Sequence, residues 1–307
     1  MRVLVAGATG AIGRVLVPRL AAAGHIVGAT GRTPQSAQRL AEEAEPLAVD
    51  VLDQASIERA LERFQPEIVV SQVTAIPARI NTRRVERDFA QTNLLRTVGT
   101  ANIVAAMHGS GAHLITQSVA FVYAPGPVGT VHVEDDPLDV AGVRTSAAIA
   151  AGVAEMERTV RGIDGTVLRY GYFYGPGTAF ARGGSSAAAA AKRQFPIVGS
   201  GAGVWSFIHV DDAAAATVAA LDAPAGVYNV VDDNPGRVDE WLPAFAAALG
   251  APAPRRVPTW LARLAAGTYG VNAMTLAQGA SNARAREVLA FKPRFADWRE
   301  GFKDGLG

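Results

Sequence analysis

The fold of this 307-residue chain is decided by Gly7-Ala8-Thr9-Gly10-Ala11-Ile12-Gly13. An apolar run at residues 3–6, typical of a strand buried on both faces, precedes it, and a helical pattern at residues 12–23 follows. Glycines at this spacing allow a tight turn, close approach of backbone amides to a pyrophosphate, and close packing of helix on strand. The sequence therefore predicts a strand–turn–helix unit that binds a dinucleotide at the N-terminus of the helix.

Strand and helix patterns alternate through the first half of the chain, which indicates parallel βαβ units with right-handed crossovers. Strands are predicted at residues 25–30, 46–49, 68–71, 113–117, 166–169 and 227–231. Helices are predicted at residues 35–43, 57–64 and 85–107, and later at 187–191, 237–249, 259–267, 282–289 and a final helix through residue 298. We therefore predict an α/β fold, a Rossmann-type doubly wound parallel sheet with a small, mostly helical C-terminal substrate-binding cap. The Rossmann domain would span residues 1–171, completed by about 206–231, and the cap residues 172–205 and 232–307.

Composition narrows the class of protein. Lys and Arg total 29 against 28 Asp and Glu, so no strong positive field points to nucleic acid or an anionic membrane. The absence of cysteine excludes disulfides, thiolate metal sites and a cysteine nucleophile. His132-Val133-Glu134-Asp135-Asp136 lacks a second histidine at ligand spacing, so we predict an exposed turn and no metal. No run spans a bilayer or forms a signal peptide, and we expect a cytoplasmic protein.

Residues at the end of the second strand are expected to determine whether the protein binds NAD or NADP. There Ala29-Thr30-Gly31-Arg32-Thr33 has no carboxylate for the ribose hydroxyls of NAD, whereas Arg32 could pair with a 2′-phosphate. We therefore predict NADP in preference to NAD, the alternative being that Arg32 is a solvated loop residue. Asp50 could accept a hydrogen bond from the adenine amino group or cap the helix that begins near Gln54.

Several further motifs, in order along nearly the whole chain, resemble the extended or atypical branch of the short-chain dehydrogenase/reductase superfamily, whose members are epimerase/dehydratase-like. These motifs are the Asn93 helix at residues 91–102, Leu168-Arg169-Tyr170-Gly171-Tyr172-Phe173-Tyr174-Gly175-Pro176-Gly177, Phe207-Ile208-His209-Val210-Asp211-Asp212 and Val288-Leu289-Ala290-Phe291-Lys292-Pro293. We expect His209 to bond locally and Asp211 to cap the helix that follows. The predicted cofactor-binding residues are Gly7, Thr9, Gly10, Ala11, Ile12, Gly13, Arg32, Asp50, Val51, Thr74, Gln117 and Tyr170.

The resemblance implies proton transfer by a tyrosine with a lysine four residues later, assisted by a serine or threonine. None of the six tyrosines here has lysine at that spacing. If Glu157 is the acidic residue that usually follows, Ile149 and Val153 occupy the two positions, and the hydroxyl position falls on Val119, beside Ser118. The candidate catalytic residues are therefore Ser118, Tyr123 and Tyr172, although tyrosines at positions 123 and 174 usually pack and orient loops in this family.

The substrate is indicated by Trp205, which stands where relatives carry an arginine for a pyrophosphate. Its broad apolar face, with Tyr174 nearby, predicts an uncharged or weakly charged, largely apolar molecule, unless Trp205 only fills the interface between sheet and cap. The leading hypothesis is an NADP-dependent oxidoreductase acting on a small carbonyl or alcohol with a non-standard proton donor. The alternatives are a non-redox NAD(P)-binding sensor and a non-redox cyclase or epimerase-like enzyme. The expected partner is a small-molecule substrate, with no nucleic acid or membrane, and the resemblance is compatible with a homodimer.

Overall fold

The computed structural model describes residues 1–40 and 42–307. Its strands are β1 (Arg2–Ala6), β2 (Ile26–Gly31), β3 (Glu45–Ala48), β4 (Ile68–Ser71), β5 (His113–Val119), β6 (Val131–His132), β7 (Thr166–Tyr170), β8 (Tyr172–Tyr174), β9 (Ile197–Val198), β10 (Val204–Trp205), β11 (Phe207–His209), β12 (Val227–Val230), β13 (Gly236–Arg237), β14 (Arg256–Val257) and β15 (Gly279–Ala280). Its helices are α1 (Gly13–Ala22), α2 (Pro34–Gln38), α3 (Gln54–Phe64), α4 (Val85–Leu94), α5 (Thr100–Ala106), α6 (Ala147–Arg161), α7 (Ser185–Ala191), α8 (Val210–Ala219), α9 (Val238–Ala248), α10 (Thr259–Thr275), α11 (Ala283–Val288) and α12 (Trp298–Asp304).

Seven parallel strands form the central sheet in the order β3-β2-β1-β4-β5-β7-β12. Strand β1 lies between β2 and β4, with Val3 opposite both Val27 and Ile68. The strand order reverses between β1 and β4, and open sheets of this kind bind ligands at such a point, beyond the carboxyl ends of the strands. The prediction of a Rossmann-type doubly wound α/β sheet is confirmed.

Both faces of the sheet are covered, which explains the continuous apolar pattern of β1. Val3 and Val5 point into a core shared with α1 and α8, including Leu16 of α1. Leu4 and Ala6 point the opposite way, into a core shared with α3 and α5. A strand buried on both faces needs apolar residues at every position, and β1 provides them.

The elements differ from the prediction in a few places. The second helix ends at Gln38 instead of residue 43, and Ala41 lies outside the described residues. The long helix predicted at 85–107 is observed as α4 and α5 joined by a π-helical segment, Leu95–Gly99. The final helix begins at Trp298 and does not end there, because the Asp297 side chain caps its N-terminus.

The C-terminal part has a core of its own, rich in aromatic residues. Trp241 and Phe245 of α9 pack there with Phe302 of α12 and with Phe207. The division of the chain into a Rossmann domain and a cap stays a prediction. None of the helices in the described ranges is both long and apolar enough to cross a membrane.

Candidate active site

The glycine loop between β1 and α1 leaves no room for side chains. Gly7 has φ +83°, and a Cβ added to it would lie 2.7 Å from the carbonyl oxygen of Gln72. At Gly13 an added Cβ would lie 2.5 Å from the backbone of Ala8. Within residues 1–40 and 42–307, the amides of Ala11 and Ile12 donate to no acceptor. Free amides at a helix N-terminus are donors suited to phosphate groups, so the loop fits the pyrophosphate of a dinucleotide.

Most of the other predicted cofactor residues follow the carboxyl ends of neighbouring strands. Arg32 follows β2, Asp50 follows β3, Thr74 follows β4 and Gln117 lies near the end of β5. Because these strands are parallel neighbours, the four residues share one edge of the sheet with the glycine loop. Arg32 is exposed and forms no ion pair with any described residue. Its side chain is therefore free to meet an anionic ligand.

The turn after β3 is held in place by its own contacts. The Asp50 carboxylate accepts a hydrogen bond from the Leu52 amide at 3.0 Å, and Asn102 donates to the Val51 carbonyl at 3.1 Å. The helix that follows starts after Asp53, so Asp50 is not its cap. Arg14, which sequence reasoning missed, donates from Nε to the Thr9 carbonyl at 2.9 Å and lies beside the glycine loop.

Tyr170 was predicted to bind the cofactor, but its side chain is turned into the core. Its hydroxyl lies 2.7 Å from Thr217 Oγ1 and accepts from Gln72 Nε2 at 3.2 Å. Burial raises the pKa of this phenol to about 12. The side chain supports the sheet beneath the glycine loop, and its polar atom has no capacity left to reach a ligand.

Ser118 and Tyr123 were predicted as catalytic residues, and the structure places both in a buried polar network. Ser118 Oγ donates to Glu157 Oε1 at 2.6 Å, and Glu157 holds Arg169 through two bonds of 2.9 and 2.6 Å. Arg169 donates to the Tyr123 hydroxyl at 2.9 Å, and that hydroxyl donates to Asn229 Oδ1 at 2.6 Å.

This network removes both residues from the list of proton donors. Ser118 is 1% exposed and Tyr123 2%, so neither hydroxyl meets a ligand. Burial raises the pKa of Tyr123 to about 12 despite the neighbouring Arg169. Burial opposes the charge of Arg169, yet its hydrogen bonds to Glu157 and the charge of Glu157 raise its pKa. The network joins β5, α6 and β7, which is a structural role.

Ile149 and Val153, the two positions on α6 where the resemblance would put tyrosine and lysine, are buried. They lie in one apolar cluster with Val119, Phe89 and Val122, and the ring of Tyr269 packs against it. These two positions on α6 therefore carry no side chain that could transfer a proton.

Of the remaining aromatic candidates, Tyr172 alone borders a cavity. Its ring is stacked between Phe121, with centroids 4.5 Å apart, and Trp205, at 3.9 Å. Trp205 is 7% exposed and its indole N–H donates to the Ala273 carbonyl. It therefore fills the interface, and the face that was predicted to stack on a ligand stacks on Tyr172. Tyr174 is fully buried among Phe207, Phe295 and Phe302 and cannot meet a substrate.

The cavity beside Tyr172 has a volume of about 30 Å³. Aromatic rings form one part of its wall and polar side chains another; these include Phe121, Tyr172, Tyr269, Arg144, Asn272 and Gln278. Burial and the neighbouring Tyr269 raise the pKa of Tyr172 well above its ordinary value of 10. Tyr123 also lines this cavity, although its hydroxyl is bonded to Arg169 and Asn229. Sequence reasoning missed the other lining residues, because they lie in loops and in a helix that carry no motif.

The acidic segment after β6 forms the predicted turn, in which Val133 and Asp135 are exposed, but His132 and Glu134 are buried. His132 is buried, its Nδ1 lies 2.8 Å from Asp136 Oδ2, and its ring stacks on Tyr123. Glu134 is also buried and accepts from the Asn229 amide. His209 forms its predicted local bond, to the Asp211 amide, and is itself the cap of α8, so the predicted cap at Asp211 is wrong.

Comparisons with known proteins agree with this geometry. The model of the NAD dependent epimerase/dehydratase family matches residues 3–231. A 3-diazoavenalumate denitrifying reductase from a Streptomyces species is 45% identical over 98% of this chain and 99% of its own length. A UDP-glucose 4-epimerase from Mycolicibacterium smegmatis is 30% identical over 96% of this chain and 95% of its own.

Solved structures share the fold over the whole chain. The UDP-glucose 4-epimerase of Thermus thermophilus in complex with NAD has a TM-score of 0.77 at 23% identity, covering 100% of this chain and 98% of that one. A human epimerase family protein with NADPH has a TM-score of 0.74 at 22% identity, covering 100% and 99%. The chain belongs to the NAD dependent epimerase/dehydratase family.

Proposed function

We propose that this protein is an NADP-dependent reductase that directs hydride to a small, largely apolar aromatic substrate, with a diazo group as the reacting group. The observation that carries this proposal is the burial of Ile149 and Val153 where a proton-transferring pair would stand. The relative that is 45% identical is named as a denitrifying reductase of a diazo compound, which supports the same chemistry.

The chain's own residues would hold the cofactor at the carboxyl edge of the sheet. The free amides of Ala11 and Ile12 suit the pyrophosphate, and Asp50 and Val51 lie where the adenine would rest. Arg32 supplies the charge for a 2′-phosphate. When bound, NADPH supplies the hydride. The aromatic side chains in the cavity wall beside Tyr172, Phe121 and Tyr269, would offer apolar surface to the substrate.

Reductive loss of a diazo group in its diazonium form, Ar–N₂⁺, suits a site without a proton donor. One C–N bond breaks and its electron pair leaves with N₂, while the hydride brings both electrons of the new C–H bond. No proton is taken up. Reduction of a carbonyl, in contrast, needs a proton at oxygen as well as a hydride. The apolar residues Ile149 and Val153 in place of a proton-transferring pair therefore hinder reduction of a carbonyl but not reductive loss of N₂.

Carbonyl or alcohol chemistry is the second candidate function, and the observation in its favour is Tyr172. Its side chain lines the cavity, and its hydroxyl forms no hydrogen bond with a described residue. The raised pKa keeps this phenol protonated at neutral pH, so it would be available as a weak acid and ineffective as a base.

Isotope transfer tests the proposed function. The protein is incubated with benzenediazonium and NADPH deuterated at its transferable position, and the arene is analysed by mass spectrometry. We expect benzene with one deuterium, release of N₂, and rates above those of a protein-free control. Deuterium found in benzene only when D₂O is the solvent would contradict direct hydride transfer. Consumption of NADPH with benzaldehyde alone would favour the carbonyl function, and binding without consumption would favour a sensor.

Arg32→Ala should remove the preference for NADPH. One charge-assisted pair with the 2′-phosphate contributes about 1.5–3 kcal/mol, so the wild type should bind NADPH at least about tenfold more tightly than NADH. The variant should lose most of this ratio, measured by fluorescence titration with both cofactors. Arg39→Ala, an exposed arginine on the same connection, is the matched control and should keep the ratio. Equal affinities of the wild type for the two cofactors would contradict the assignment of Arg32.

Tyr172→Phe separates the two reaction classes. If the phenol donates a proton to a carbonyl oxygen, its removal should lower carbonyl reduction by about 10²-fold or more, because general acid catalysis typically contributes that much. Reduction of a diazo group should fall far less in the same variant. The two rates are measured side by side by loss of NADPH absorbance. A parallel fall in both would show that Tyr172 acts on binding and not on proton transfer.

A further inference from the structure

A buried arginine that forms no ion pair with a described residue, Arg144, lines the cavity beside Tyr172. Arg144 is 9% exposed, and its hydrogen-bond partners are the Leu276 carbonyl at 2.9 Å, the Tyr123 carbonyl at 2.7 Å and His132 Nε2 at 3.4 Å. Among the carboxylates in the described ranges, none forms an ion pair with it. Burial lowers the pKa of Arg144, and the charge of Asp139 offsets only part of this effect.

The guanidinium has donors to spare. It carries five N–H groups, and these three contacts use at most three of them. Its Nε atom is completely buried and has no hydrogen-bond partner. An unsatisfied donor on a buried charge costs more than a typical unmade hydrogen bond. Because Arg144 lines the cavity and has no ion-pair partner among the described residues, its guanidinium is suited to an anion that arrives with the ligand.

The loop that carries Arg144 is built to hold it in position. Asp139 accepts hydrogen bonds from the amides of Val143, Arg144 and Thr145 at 2.8–2.9 Å. From the other side, Asn272 donates to the Arg144 carbonyl at 3.3 Å. Arg144 is therefore presented by a loop whose backbone is fixed on both sides, which lowers the entropic cost of binding.

The size and lining of the cavity define the ligand. A volume of about 30 Å³ exceeds the roughly 10–15 Å³ that holds one water molecule, so the cavity accepts a group of a few atoms such as a carboxylate. Phe121 and Tyr269, which also line the cavity, offer aromatic surface to a ring that continues beyond that group. The charged guanidinium keeps a spare hydrogen on Nη1, which suits a charge-assisted hydrogen bond to a carboxylate.

We infer that Arg144 binds the carboxylate of a small aromatic acid, so that the substrate carries a negative charge that the apolar face of Trp205 did not indicate. The inference rests on the proposed function for the reacting group, which lies elsewhere on the substrate. Arg144 orients the acid while the aromatic wall holds the ring.

The test uses trans-cinnamate and its uncharged amide, two probes of the same shape. Both are titrated into the whole protein by calorimetry, with and without NADP⁺. We expect the wild type to bind cinnamate at least about tenfold more tightly than cinnamamide, as one charge-assisted pair predicts. In Arg144→Met this ratio should fall to about one. Arg158→Met, which removes an exposed arginine from α6, is the matched control and should keep the wild-type ratio.

Two further arms keep the inference testable. If Arg144→Met fails to fold, Arg144→Lys replaces it in the test. Lysine keeps the charge but not the planar fork of guanidinium donors, so the ratio of cinnamate to cinnamamide affinity should lie between one and the wild-type value. Equal binding of the two probes by the wild type, or an unchanged ratio in Arg144→Met, would overturn the role of Arg144. Failure of the proposed function would look different, because it would appear as absence of NADPH consumption while the cinnamate preference persists.

Discussion

Glu157→Ala should lower the free energy of unfolding by about 3–5 kcal/mol, because it leaves a buried arginine without its partner. Arg169 and Glu157 are each 4% exposed and joined by two hydrogen bonds. The substitution leaves the buried Arg169 charge without a carboxylate partner. It also removes the carboxylate oxygen that accepts the hydrogen bond of Ser118. Denaturant unfolding followed by circular dichroism measures the loss.

Glu155→Ala is the matched control on the same helix. Glu155 also pairs with an arginine, Arg158, but both side chains are largely exposed. Exposed pairs contribute about 0–1 kcal/mol, so this variant should unfold close to the wild type. A loss below about 1 kcal/mol in Glu157→Ala would mean that the buried network relaxes around the missing carboxylate, contrary to our reading of it as structural.

Gly7→Ala should both destabilise the protein and abolish tight binding of NADPH. The positive φ alone costs an alanine about 1–2 kcal/mol. The added methyl group would also lie 2.7 Å from the Gln72 carbonyl oxygen, and such overpacking adds about 1–3 kcal/mol. Relief of this clash requires the loop to move away from β4, which displaces the amides of Ala11 and Ile12 from a bound pyrophosphate.

Gly24→Ala separates the cost of the positive φ from the effect of the clash with the Gln72 carbonyl. Gly24 has the same φ of +83°, yet nothing lies within 4 Å of the position of its added Cβ. This variant should lose only the backbone contribution and should bind NADPH as the wild type does. Unfolding curves and fluorescence titrations with NADPH on both variants provide the comparison. Equal affinities of the two variants for NADPH would contradict the role of Gly7 in placing the loop.

The central fold was predictable because its signals are local. A strand buried on both faces is apolar at every position, a glycine triplet marks the turn, and alternation of strands with helices requires parallel pairing. The position of Arg32, Asp50 and Thr74 at one edge of the sheet was predictable for the same reason, since parallel strands bring their carboxyl ends together. Tyr170 was the exception, because the sequence does not tell which way its hydroxyl turns.

The candidate active site was less predictable because its residues meet only through long-range contacts. Ser118 and Tyr123 have the chemistry of proton donors, but Glu157, Arg169 and Asn229 bind their hydroxyls from distant parts of the chain. Trp205 has a face fit for stacking, but Tyr172 already covers it.

The sequence by itself determined the doubly wound sheet, the dinucleotide loop and the lack of a tyrosine–lysine pair, since each depends on residue type and spacing along the chain. Only the tertiary structure decided which polar groups are used up in the core and which face a cavity. Arg144 illustrates the difference, because it lies in a loop without a motif. Its side chain is held by the carbonyl groups of Tyr123 and Leu276 and forms no ion pair with a described residue, and only the structure shows these contacts. Burial and hydrogen-bond saturation are properties of contacts between distant segments, so spacing alone does not encode them.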